Sequence, residues 1–278
     1  MKNLLILIDF SESSSHAARY AAYLTSQLTA FRMVLYHSEE SATPVTEVLL
    51  SEALNNENLN QESYRQLTEL KNELLPSAFS GTIIDIHVSN VPLVEDFHSF
   101  VREEHIDLIV MGTSGKGKME RALIGSNTTK IVQSSPVAVL VVPPMTVFQP
   151  VRTVAFASDL KRVKESTPFS RIIGLASLLG ARLLVFNVSR ENEEVNREVI
   201  KEQQDFFDIW SRKGIEYYYV VHDDVAEGIM TFAREHDVQL VVLLHREQSF
   251  FDSFFGRGVS HQLAYHTTLP LLILPNSV

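Results

Sequence analysis

The chain has 278 residues, 45% hydrophobic and 21% charged, with a formal net charge of −10 and no cysteine. That length suits two domains of ordinary size, and the composition is that of a globular protein. The acidic balance lacks clustered Lys or Arg, which argues against a general affinity for nucleic acid; the missing cysteines exclude disulfide and thiolate chemistry.

The first apolar run, residues 4–8, stops at Asp9. It is too short for a signal-peptide core, and no later stretch approaches the ~18 apolar residues that span a bilayer. A cytoplasmic protein without a membrane partner is expected. Further short β-rich runs lie at 33–36, 83–88, 108–111 and 139–142, alternating with helical patterns near 13–29, 62–75, 93–105 and 127–134. Pro76 closes one of these helices and Pro92 opens another. A proline-bounded linker, 143–150, precedes a second series of strands at 154–157, 183–186, 215–221, 240–244 and 271–274. Residues 191–194 read as a solvated helix start.

The second series echoes the first. Asp9 and Asp159 stand 150 residues apart, as do His37 and Asn187. Further on the separation becomes 132: Phe100-Val101-Arg102-Glu103 answers Phe232-Ala233-Arg234-Glu235, and Pro143 answers Pro275. Two constant separations joined by one change of length indicate a tandem duplication, with 18 extra residues in the polar stretch 41–61 of the first half. Continuous apolar strands separated by helices predict parallel sheets covered on both faces. The expected fold is α/β: two Rossmann-like open parallel sheets flanked by helices, in domains 1–143 and 151–278.

The fourth run is followed by Gly112-Thr113-Ser114-Gly115-Lys116-Gly117-Lys118 and then Gly125-Ser126-Asn127-Thr128. Gly112 frees a strand end for close approach of a ribose or phosphate, and Gly115 and Gly117 let the loop turn its N–H groups inward as an anion nest. Gly125 and Ser126 bring phosphate oxygens to a helix N-terminus. The spacing of glycine, two residues, glycine, nine residues, Gly-Ser resembles the phosphate-binding pattern of ATP-binding universal stress proteins. The strand ends Ile6-Leu7-Ile8-Asp9 and Leu35-Tyr36-His37-Ser38 resemble that family too, and the likeness covers nearly the whole chain, twice.

The resemblance implies a HUP-type fold and a cleft at the carboxyl ends of the first and fourth strands. It also implies ATP, with or without magnesium, as the ligand of the first half. Asp9 would contact adenine or ribose, and Ser38 would meet the adenine edge through its backbone. Gly112 would line the ribose, and Gly115, Gly125, Ser126 and Asn127 would hold phosphates, with Lys116 and Lys118 as further phosphate contacts. Leu7 stands where the family often has proline, which weakens the ribose contact. The family also implies pairing of the two last strands, an intramolecular pseudo-dimer, with a homodimer as a further state.

Other readings of these residues fare less well. Residues 112–118 fit the opening of a P-loop, but Met119 offers no hydroxyl for magnesium. The segment Asp9-Phe10-Ser11-Glu12-Ser13 lacks the glycines of an ATP-pyrophosphatase loop. The histidines show no zinc spacing. In the second half Leu244, Glu247 and Arg257 replace Gly112, Gly115 and Gly125, so that half is expected to have lost the site, with the aromatic segment 249–255 filling the vacated cleft or packing between the halves. The expected function is a nucleotide-dependent stress-response regulator or partner-binding protein. A slow ATPase or nucleotidyl-transferase, and a nucleotide-free scaffold, are the alternatives.

Overall fold

The computed structural model describes residues 1–38, 51–113, 125–160, 162–190, 197–211, 213–245 and 268–275. Gly115, Lys116, Lys118, Glu247, Arg257, the acidic segment 191–194 and the aromatic segment 249–255 lie outside the described residues. The chain divides into two compact units, one built from residues 1–113 and 125–144 and the other from residue 145 onward.

The first unit runs β1 (Asn3–Leu7), α1 (Glu12–Leu28), β2 (Arg32–Ser38), α2 (Ser51–Leu74), β3 (Ile83–Ser89), α3 (Leu93–Glu103), β4 (Leu108–Gly112), α4 (Ser126–Ser134) and β5 (Ala138–Val142). Its strands lie in the order β3-β2-β1-β4-β5, every pairing parallel. The central strands are solidly apolar because helices cover both faces: Leu4, Ile6, Ile109 and Val110 are fully buried. From β1 the chain winds outward to β2 and β3, then returns to the other side of β1 as β4. That reversal opens a crevice at the carboxyl ends of β1 and β4, where open α/β sheets take ligands.

The second unit runs β6 (Thr153–Ser158), α5 (Val163–Ser166), α6 (Phe169–Leu179), β7 (Arg182–Ser189), α7 (Arg197–Ser211), β8 (Glu216–Val221), α8 (Val225–Glu235), β9 (Leu240–Leu244) and β10 (Leu271–Leu274). Its order, β10-β9-β6-β7-β8, is again parallel throughout and repeats that of the first unit strand for strand. The backbone keeps the duplication in detail. Phe10 and Leu160, 150 residues apart, both take positive φ, at 58° and 52°; His105 and Asp237, 132 apart, do so at 51° and 49°. Tyr36 meets Phe100 edge-on with ring centroids 5.0 Å apart, and Phe186 stacks on Phe232 at 4.0 Å in the equivalent place.

Two elements differ from the sequence expectation. α2 begins at Ser51, well before residue 62: the polar insertion contains neither Gly nor Pro between 51 and 74, so an established helix extends through it at little cost. In the second unit the counterpart of α1 is broken into α5 and α6. Pro168 sits immediately before α6, where its ring and missing N–H prevent one continuous helix.

Candidate functional site

Six of the residues singled out in the sequence converge at the switch point. Asp9 follows β1, Ser38 ends β2, Gly112 ends β4, Gly125 caps α4, and Ser126 and Asn127 begin that helix. All six line one cleft of about 710 Å³, its open mouth included, within the usual range for small-molecule sites. Leu7, Ile8 and Leu93 add apolar lining to the same cleft.

Asp9 is held in place by its own chain. Its Oδ1 accepts from the Ser11 amide at 3.0 Å and from the Ser11 hydroxyl at 2.5 Å. Ser11 is in turn the N-cap of α1, accepting from the Ser14 amide at 3.1 Å. Burial works to raise the Asp9 pKa, but the hydrogen bonds from Ser11 and Ser14 outweigh it, leaving the carboxyl below its ordinary value. Asp9 is therefore ionised at neutral pH and aimed by the start of α1. The spacing Ser11 to Ser14 is an N-cap pattern legible in the sequence.

Next to it, Phe10 takes the left-handed conformation and lays its ring 4.4 Å from that of His37. His37 Nδ1 lies 2.7 Å from the Ile8 carbonyl oxygen. A carbonyl only accepts, so Nδ1 carries the proton. The second unit makes the same link with different chemistry: Asn187 Nδ2 donates to the Ser158 carbonyl at 2.9 Å. Sequence reasoning gave His37 only as the end of a strand; its pairing with Asn187 in the repeat was the signal that the position has a job. The Ser38 hydroxyl donates to the Val91 carbonyl at 2.7 Å, so its side chain serves the fold.

α4, whose first residues line the same cleft, starts without a side-chain cap because its N-cap is Gly125. The first N–H groups of a helix have no acceptor within it, so the start of α4 presents donors and the positive end of its dipole. The helix is moored to the sheet from both sides of the loop. The Gly125 amide donates to the Thr113 carbonyl at 2.6 Å, and Thr128 Oγ1 donates to the Gly112 carbonyl at 3.1 Å. Thr128, which lines the cleft, escaped the sequence reading.

Gly112 lines the cleft, and packing within the unit already demands a glycine there. A Cβ at this position would lie 2.7 Å from the Ser13 carbonyl oxygen and 2.4 Å from Ser13 Oγ. The absent side chain makes room for the first turn of α1.

The model of the universal stress protein family matches this chain twice, over residues 1–143 and 152–275. The chain belongs to the universal stress protein family. Universal stress protein MJ0577 of Methanocaldococcus jannaschii is 28% identical over 156 residues, 51% of this chain and 94% of that protein. Universal stress protein Slr1230 of Synechocystis is 26% identical over 183 residues, 57% of this chain and 60% of that protein. Among solved structures, a universal stress protein from Archaeoglobus fulgidus superposes with a TM-score of 0.69 at 15% identity, covering 99% of this chain and 96% of that one. That likeness shows the tandem fold alone.

The two halves of this universal stress protein differ at the same strand end. Where β4 finishes in Gly112, β9 finishes in Leu244, a buried side chain. The helix start that presses on Gly112 in the first unit is, in the second, the short α5, cut off from α6 ahead of Pro168. No helix among the described residues is long and apolar enough to cross a membrane.

Proposed function

We propose that the first unit binds an adenine nucleotide, ATP with or without magnesium, and that its occupancy sets the conformation or partner choice of the chain under stress. The observation that carries this reading is the convergence of Asp9, Ser38, Gly125, Ser126 and Asn127 on one cleft with an uncapped helix start at its end. Phosphates suit the N–H groups of Ser126 and Asn127, joined by Gly115, Lys116 and Lys118 of the loop. The ionised Asp9 suits ribose hydroxyls or an adenine donor. The apolar lining at Ile8 and Leu93, together with the Ser38 backbone, suits a purine.

The carboxylate and imidazole of the cleft are both engaged by the chain itself, Asp9 by Ser11 and His37 by Ile8. That supports a binding protein over a phosphoryl-transfer enzyme, which needs a base or metal ligand aimed at the γ-phosphate. Leu244 at the equivalent strand end favours one ligand per chain. Mass spectrometry of gently purified protein and calorimetry with ATP test this together. The expected result is an adenine nucleotide that binds once per chain and leaves intact. A stoichiometry near two, steady turnover that survives purification, or no binding would each overturn it.

A further inference from the structure

β8 ends the strand order of the second unit: it pairs with β7, and no described strand lies on its other side. The backbone shows which of its groups are left over. The His222 amide donates to the Ser189 carbonyl at 2.9 Å, continuing the register that sets Val221 beside Ser189. Residues bonded to one parallel neighbour alternate along a strand. Residues 216, 218, 220 and 222 therefore face β7, and Tyr217, Tyr219 and Val221 turn their N–H and C=O groups outward.

The side chains along this edge are apolar and uncovered. Tyr219 is 49% exposed and Val221 63%. The ring of Tyr217 packs edge-on against Tyr219 at 4.5 Å, and Phe207 of α7, itself 54% exposed, lies 6.4 Å from Tyr217. Natural edge strands are usually guarded by charge. The corresponding edge strand of the first unit, β3, carries Asp85 in its middle, bound to Arg32 at 2.6 Å. In β8 the one charge is Glu216, at the start of the strand and not in its middle, where it pairs with Arg182 and accepts from the Tyr218 hydroxyl at 2.5 Å.

We infer that β8 is an interface for a second copy of this chain, pairing antiparallel with the partner's β8 about a two-fold axis through Tyr219. In an antiparallel pair, directly opposed residues must both face across or both face away. Centring on Tyr219 meets that condition. Tyr219 opposes Tyr219 of the partner subunit, and Tyr217 opposes the partner's Val221. These outward groups supply about six hydrogen bonds. Between them Tyr218 opposes the partner's Val220, and Glu216 opposes the partner's His222.

The strand is self-complementary about this axis, with aromatic residues before Tyr219 and β-branched residues after it, a favourable cross-strand combination. No like charges meet. The two Glu216 residues fall at opposite ends of the ladder, about 20 Å apart at ~3.4 Å per residue, beyond the screening length of ~8 Å. This symmetry favours a second copy over a foreign strand, and it closes at two.

Because the chain has no cysteine, single introduced thiols give a clean test on the full-length protein. Opposed residues in a hydrogen-bonded antiparallel pair have Cα atoms about 5.5 Å apart, within disulfide reach. With oxidised glutathione, Tyr219→Cys should convert most of the protein to a covalent dimer. Val221→Cys alone should stay monomeric on a denaturing gel, and Tyr217→Cys combined with Val221→Cys should cross-link again. In sedimentation, Tyr219→Lys should halve the mass of the wild-type species, with the far-ultraviolet circular dichroism unchanged to show that the fold is kept. A monomeric wild type at the highest soluble concentration would overturn the interface. So would a folded Tyr219→Lys that still dimerises, or Val221→Cys cross-linking as readily as Tyr219→Cys.

Discussion

A Cβ atom on Gly112 would stand 2.7 Å from the carbonyl oxygen of Ser13. That neighbour is backbone at the start of a helix, so neither side can yield cheaply. Gly112→Ala should therefore destabilise the protein by about 1–3 kcal/mol, the usual cost of overpacking, before any ligand is considered. Urea denaturation of the unliganded protein checks this. If the midpoint is unchanged while nucleotide affinity falls, the glycine answers to the ligand and the packing argument is wrong.

Asp9 has two tasks that substitutions separate. Asp9→Ala removes the acceptor for both Ser11 donors and should cost about 1 kcal/mol, as cap losses do. Asp9→Asn keeps an acceptor oxygen and removes the charge. The folded carboxyl titrates below its ordinary value, so its ionised form adds stability that is present above about pH 4 and lost as pH falls through the lower folded value. The stability advantage of wild type over Asp9→Asn should shrink as pH drops from 5 toward 2. A difference that stays flat across that interval, or grows, would contradict the assigned direction.

Much of this architecture was legible in the sequence, and the reasons are particular. The strands of both units appear within three residues of expectation, because solid apolar runs such as Leu108 to Met111 have few other uses. The repeated separations of 150 and 132 exposed the duplication because the backbone itself repeats, down to the positive φ at Phe10 and Leu160. What the sequence hid were contacts between distant segments. Nothing local to Gly112 announces Ser13, ninety-nine residues earlier, and the tie from Thr128 to the Gly112 carbonyl exists only once α4 is docked. The break at Pro168 lies where the repeat by itself implies a counterpart of the unbroken α1.

Trp210, the chain's one tryptophan, lies in the second unit. It is fully buried, with Phe169 and Phe206 at ring distances of 5.1 Å and 6.0 Å. If nucleotide binds in the first unit and leaves the core of the second unit as it is, saturating ATP should not move the Trp210 emission maximum, while urea shifts it to the red. An emission change that tracks ATP occupancy would mean a ligand in the second unit or a conformational change that reaches its core.

The first turn of α4 offers a substitution with opposite effects on stability and binding. It carries no acidic residue, and Ser126 is exposed there. A carboxylate at that position interacts favourably with the helix dipole, so Ser126→Glu should raise the stability of the unliganded protein by about 0.3–1 kcal/mol. The same charge would face any phosphate bound at the helix start. Two like charges ~4 Å apart repel by about 1 kcal/mol in water and about 4 kcal/mol at a partly buried site, so ATP affinity should fall between roughly fivefold and a thousandfold. Adenosine, which carries no phosphate, should bind equally well to both proteins. A destabilised variant that loses adenosine and ATP alike has merely damaged the cleft. A variant that gains stability and keeps its ATP affinity would mean that phosphates do not lie at the start of α4.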